Sequence, residues 1–168
     1  RSYQAATPCD LYQHLQTALS RSGQLRQRIL IKDVVESWAN QPGYPLVTIT
    51  RSYKTKVVSA SQEPFYLNRQ VAQINSEKLG WWIPLTFVTE ESNSVLDRTT
   101  TAAWLKPHAN STIVASVKSN SWVIFNVQQV GYYRVNYDKN NWKMLIRHLK
   151  LKNLKKVHVI NRAALLDD

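Results

Sequence analysis

The hydrophobic period changes twice along this chain, and each change limits what can fold on either side of it. Up to about residue 40 the apolar residues recur at helical spacing. Leu11, Leu15, Ala18 and Leu19 share one face, and Val34, Val35 and Trp38 share another. Thr7-Pro8-Cys9-Asp10 has the makings of a helix start, with a capping hydroxyl, a proline in the first turn and an acid close behind. Gly23 closes that run. A second helix is predicted from about Lys32 to Ala39, and it must stop before Gln41-Pro42-Gly43-Tyr44-Pro45, where two prolines and a glycine leave no room for helical backbone.

Beyond Pro45 the period becomes two. Val47 and Ile49 alternate with Thr48 and Thr50, and Val, Thr and aromatic residues become common. Strands are predicted near 46–51, 54–60, 81–89, 101–106, 112–117, 121–126 and 131–136. Short strands in a stretch of about ninety residues with no helix between them indicate an antiparallel β-sandwich. After Tyr137 the helical period returns, because Trp142, Leu145, Ile146 and Leu149 fall at i, i+3, i+4 and i+7, with Asp138 placed to cap them. A basic link follows from Lys152 to Lys156, then a last helical pattern from Val159. The fold class expected is therefore mainly β, an antiparallel β-sandwich flanked by α-helices at both ends, with boundaries at 1–45, 46–137 and 138–168.

The chain has 22 Lys and Arg against 11 Asp and Glu, a formal charge of +11. That excess suits nucleic acid, an anionic surface or an acidic protein. It is densest in the last segment, which carries +5 over residues 138–168 against +4 over 46–137 and +2 over 1–45. A composition that is 43% hydrophobic with only 4 Gly and 6 Pro excludes disorder over the whole length. The single cysteine, Cys9, permits no internal disulfide. No apolar run approaches the length of a transmembrane helix. With no initiator Met and a last helix that stops at its opening, the chain is expected to be a segment of a longer protein.

Catalytic and metal-binding patterns are scarce. The four histidines, His14, His108, His148 and His158, have no second donor at metal-ligand spacing, and Gly43, Gly80 and Gly131 are isolated. Cys9 has His14 only on another turn of its helix, so a half-buried structural cysteine is the simpler reading of it than a Cys-His nucleophile. Trp81-Trp82 and Tyr132-Tyr133-Arg134 resemble base-stacking pairs. In an alternating strand, however, such pairs put one ring in the core and one outside. The basic stretch from Lys139 to Lys156 reads as a solvated helix face or as a patch for an acidic partner or membrane surface. Asn110-Ser111-Thr112 is a glycosylation sequon in a loop between strands, which makes Asn110 the one candidate modification site.

Four strings, in order, resemble the gluzincin zinc aminopeptidases of the aminopeptidase N type. They are Trp38 to Pro45 followed by a Val/Thr strand, Trp82-Ile83-Pro84-Leu85-Thr86-Phe87, Gly131 to Asp138 followed by Asn141-Trp142, and Asn161 to Asp168. Asp10-Leu11 with its helix and, more loosely, Gln62-x-x-Phe65 extend the likeness over essentially the whole chain. The resemblance implies the last helices of a thermolysin-like catalytic domain over 1–45, a β-sandwich third domain over 46–137, and the start of a C-terminal helical domain over 138–168. It further implies a parent enzyme that removes N-terminal residues from peptides with Zn²⁺, is membrane-anchored on the extracellular face, and leaves a homodimer open.

The family's zinc ligands, general base and amine-binding motif would precede Arg1, so no catalytic, cofactor-binding or metal residue is assigned to any position here. Peptide substrates and the missing domains in cis are the partners implied, and nucleic acid is not among them. The segment itself would link and position its neighbours. The alternative is part of a catalytically inactive aminopeptidase-like scaffold or binding protein. Because the apolar faces of the first two helices would find their partners in missing domains, the segment is not expected to be well behaved alone.

Overall fold

A computed structural model describes residues 5–23, 29–67, 79–91, 98–109, 111–150 and 157–167. The chain divides into two compact units, Arg1–Pro42 and Gly43–Asp168. The first holds α1 (Pro8–Ser22) and α2 (Ile31–Ala39). Thr7 caps α1 in a reciprocal box. Its hydroxyl accepts the Asp10 N–H, and the Asp10 carboxylate accepts the Thr7 N–H at 2.8 Å. Gly23 ends the helix in the left-handed region at φ 63°, where a side chain would be strained. Neither helix buries a residue, and Leu11 and Leu15 stand 55% and 43% exposed. Gln16 ties the pair together, because its side-chain oxygen accepts the Ile31 N–H at 2.8 Å.

The second unit contains β1 (Pro45–Ser52), β2 (Val57–Pro64), β3 (Ile83–Leu85), β4 (Phe87–Thr89), β5 (Ala103–Leu105), β6 (Thr112–Ser116), β7 (Val123–Phe125), a 3₁₀ turn (Val127–Gln129), β8 (Arg134–Tyr137), α3 (Lys139–Lys150) and α4 (Val159–Asp167). One sheet has the order β6-β2-β1-β8, while β3 pairs with β5 and β4 with β7 in two small ladders. The core is drawn from all three. Val47, Ile49, Val58, Ala60 and Val135 come from the large sheet, and Ile83, Leu85, Val88, Leu105 and Val123 to Phe125 from the small ones.

Three expectations need correction. The large sheet is mixed, because β8 runs parallel to β1, with Val47 opposite Val135 and Ile49 opposite Tyr137, while the two small ladders are antiparallel. Parallel neighbours need a long connection, and alternation within each strand carries no signal of strand direction. The description "mainly β" suits the middle of the chain only, since among the described residues the four α-helices together span more residues than the eight strands.

Several strands are also shorter than the alternation suggested. The 54–60 strand starts at Val57 because Tyr53 to Lys56 form a turn with Lys56 at φ 61°. The 81–89 strand is broken at Thr86, whose carbonyl accepts the Asn126 N–H at 3.1 Å and whose hydroxyl accepts the Val127 N–H at 2.9 Å. The 131–136 strand starts only at Arg134, after a turn over Gly131 to Tyr133.

Candidate functional site

Alternation along β1 places Arg51 on the same inward face as Val47 and Ile49, an unusual address for a charge. Its side chain is almost wholly buried, yet both terminal nitrogens find acceptors. Nη1 donates to the Ser121 carbonyl at 2.7 Å and to Asn141 Oδ1 at 2.9 Å, and Nη2 donates to the Lys118 carbonyl at 3.0 Å. The guanidinium also lies 4.8 Å from the Tyr53 ring centroid. Among the described residues its acceptors are neutral oxygens, so the charge is stabilised by aimed dipoles and a ring face.

Asn141, in the first turn of α3, has no solvent exposure. Besides receiving Arg51, its Oδ1 accepts the Val123 N–H at 3.0 Å, and its Nδ2 donates to the Val123 carbonyl at 2.9 Å. One amide thus completes the edge of β7 as a neighbouring strand would. Asp138 anchors the helix end. Its Oδ1 accepts the N–H groups of Asn140 and Asn141 at 2.9 and 3.0 Å and the Tyr53 hydroxyl at 2.7 Å. Arg51, Tyr53, Asp138 and Asn141 therefore form one polar latch joining β1, β7 and α3. Burial first, and then the hydrogen bond to Asp138, push the Tyr53 hydroxyl pKa well above its ordinary value of 10.0.

A second cluster shapes the turn between β7 and β8, where Asn126, Gln128 and Gln129 sit at φ 53°, 55° and 51°. Three left-handed residues other than glycine need local support. Asn126 supplies much of it, donating from Nδ2 to the Gly131 and Tyr133 carbonyls at 2.9 Å each and accepting the Gly131 N–H at 2.9 Å. Buried Asn161 of α4 accepts the Gln128 N–H. Beside this turn is a cavity of about 310 Å³ lined by Tyr44, Asn126, Gln129, Tyr132, Arg134 and Asp167, among others. Its polar groups answer one another. Arg134 pairs with Asp167 at 3.1 Å while stacking over Phe65 at 4.8 Å, and the Asn126 amide is spent on the turn.

The residues singled out from sequence are dispersed. Cys9 is exposed, contrary to the half-buried expectation, because α1 buries nothing. His14 and His108 are exposed, His158 accepts the Ile160 N–H at the start of α4, and His148 packs on Trp122 at 5.0 Å with Glu90 3.5 Å away. Among the described residues no three His, Cys, Asp or Glu side chains come together to hold a metal ion. The described residues do not fit a zinc site, and no catalytic step is assigned to them. Trp81 and Tyr133 are buried while Tyr132 is 72% exposed and Trp82 intermediate, an inside-outside split, but both pairs lie outside the strands on whose alternation that expectation rested. Asn110 and the basic link 152–156 lie outside the described residues.

Sequence reasoning gave no structural role to Arg51, Gln62, Asn126 or Asn141, although Gln62 and Asn141 lie in the strings that carry the family resemblance. Arg51 had a signal, a charge at an inward position of an alternating strand. Gln62 donates to the carbonyls of Trp81 and Lys106 and accepts the Trp81 N–H, all at 2.8 Å, and nothing local distinguishes it from a surface glutamine.

Replacing Asn141 by Ala leaves a buried guanidinium and both backbone groups of Val123 short of partners. The expected result is amide exchange across β7 and the first turn of α3 roughly a hundredfold faster, about 3 kcal/mol of local stability; unchanged protection would show that the latch is dispensable. The raised Tyr53 pKa gives a pH dependence of definite sign. Stability from the hydroxyl is fully present below about pH 10 and is lost as pH rises through the higher folded-state value. The melting-temperature advantage of the native protein over Tyr53→Phe is therefore expected to shrink above that pH, and a constant advantage would refute the assignment.

The C-terminal part of the chain, residues 122–168, matches the family model "ERAP1-like C-terminal domain". Among curated proteins the chain is 32% identical over 171 residues to the thyrotropin-releasing hormone-degrading ectoenzyme of Mus musculus, covering 99% of this chain and 16% of that protein. It is 34% identical over 173 residues to aminopeptidase Q of Homo sapiens, with the same coverage. It is 34% identical over 170 residues to aminopeptidase N of Plutella xylostella, covering 99% of this chain and 17% of that one. The chain thus spans about one sixth of the length of the relatives it matches. A likeness that runs through both compact units, and that takes in the turn, the strand and the helix built around Asn126 and Asn141, places this chain in the gluzincin aminopeptidase family of the aminopeptidase N type.

Proposed function

We propose that this segment is the non-catalytic, domain-positioning part of a zinc aminopeptidase that removes N-terminal residues from peptides. Residues 1–45 would close the catalytic domain, 46–137 form the β-sandwich with the large sheet facing the two small ladders, and 138–168 open the C-terminal helical domain. The observation that carries the reading is the latch of Arg51, Tyr53, Asp138 and Asn141, which fixes the start of α3 on the sheets. A spacer transmits position only if its far end cannot swivel. The family match begins at Trp122, inside the proposed sandwich, and so takes in β7, which is hydrogen-bonded to α3 through Asn141. Zinc chemistry and substrate selection belong to the parent protein.

Gly43 is the natural joint at the other end. Its φ is 82°, and an added Cβ would meet nothing within 4 Å, so substitution strains the backbone by about 1 kcal/mol without a clash. In the full-length enzyme, Pro42→Ala with Gly43→Ala is expected to slow turnover of long peptides more than that of a dipeptide-like reporter. Equal loss on both would sink the positioning role and point to misfolding.

The ectoenzyme named among the relatives, together with the Asn110 sequon, supports an extracellular, glycosylated and membrane-anchored parent. Asn110→Gln in the full-length protein made through the secretory pathway is expected to remove one glycosidase-sensitive step in electrophoretic mobility, and no change would exclude that glycan.

A further inference from the structure

Helix α3 uses its two faces very differently. Trp142, Leu145 and Leu149 turn toward the fold, with Leu145 2% exposed, and Asn141 is sealed against β7. On the opposite side Lys139, Lys143, Arg147 and Lys150 are all exposed, and the helix carries no acidic residue. At 100° per residue these four cations and Ile146 fall within an arc of about 100°, in a stripe about 16 Å long. Among the described residues no carboxylate pairs with any of the four. The nearby acids are engaged elsewhere: Glu90 with His148, Glu91 with Lys118 at 3.0 Å, and Asp138 with the cap and Tyr53.

Charge complementarity and spacing decide what fits this stripe, and we infer that the outer face of α3 is a docking surface for an extended acidic segment of a partner protein. Lys139, Lys143 and Arg147 follow one another at axial steps of about 6 Å, close to the roughly 6.6 Å between alternate residues of an extended strand. Carboxylates at every second position of such a segment meet successive cations. Ile146, 48% exposed in the middle of the stripe, provides an apolar contact that a purely polar polyanion leaves unused. A membrane surface is a poorer match. An interfacial helix inserts its apolar face, and here that face is already committed to the fold.

The test uses the full-length protein and a short synthetic peptide that alternates glutamate with threonine and carries one central leucine. Saturable binding is expected, weakened about tenfold by Lys143→Glu with Arg147→Glu and less than twofold by Lys54→Glu with Arg98→Glu, which change net charge equally at exposed sites elsewhere. Lys143→Gln with Arg147→Gln, which introduces no like-charge pairs, should fall between the two. Ile146→Ser should weaken the leucine peptide and leave an all-threonine version unchanged. Unchanged circular dichroism and melting temperature in each variant keep the comparison valid, the glutamine pair standing in if the glutamate pair unfolds. Equal loss in the stripe and control variants, no saturable binding at low salt, or stronger binding to phosphatidylserine vesicles than to the peptide would each overturn the proposal.

Discussion

A single buried side-chain amide determines how the sheets and α3 meet. Asn141 has four hydrogen-bonding sites and no access to water, so each must be answered by protein or left costly. Two are answered by the backbone of one residue, Val123, and one by Arg51. No hydrophobic side chain of similar size can substitute, because what is needed is a donor and an acceptor at the spacing of a strand edge. Dispersion and burial hold many helices against sheets in approximate registers; a paired amide permits one. The helix therefore begins at a fixed height and rotation on β7, and its Trp142 and Leu145 face follows from that.

Arg51 raises the stakes. A guanidinium in a nearly dry site costs several kcal/mol unless its donors are met, and here they are met by carbonyls of Lys118 and Ser121 that lie on the approach to β7. The charge thus organises the loop before the strand, while the amide organises the strand itself. Tyr53 and Asp138 complete the circuit at the helix end. Such a network tolerates little drift, which suits a segment whose proposed task is geometric.

Much of this architecture was legible because its causes are local. Thr7, Pro8 and Asp10 announce α1 by sterics and hydrogen bonding within four residues, and Asp138 announces α3 in the same way. Trp81 against Trp82 and Tyr133 against Tyr132 show the one-in, one-out split that alternation suggests, although both pairs lie just ahead of their strands, β3 and β8. What escaped was set at a distance. Thr86 looks like any strand residue until Asn126, forty residues later, claims its carbonyl. The parallel pairing of β1 with β8 is invisible in either strand alone, and alternation suggests longer strands than the left-handed turn at Asn126 to Gln129 allows. Arg51 is the instructive case, since its charge at an inward position was readable as an anomaly although its partners were not.

That parallel pairing also has a temporal side. The strand at Val47 finds its neighbour β2 within a few residues, but its other edge stays open until Val135 has been made. At ordinary translation rates the gap is on the order of ten seconds, long compared with hairpin formation. Through that interval the nascent chain displays an unpaired strand edge of alternating Val, Ile and Thr, the kind of template to which other chains add. Assembly of this protein is thereby paced by its own synthesis, and the exposed edge is where a chaperone in the compartment of translation would have most to protect.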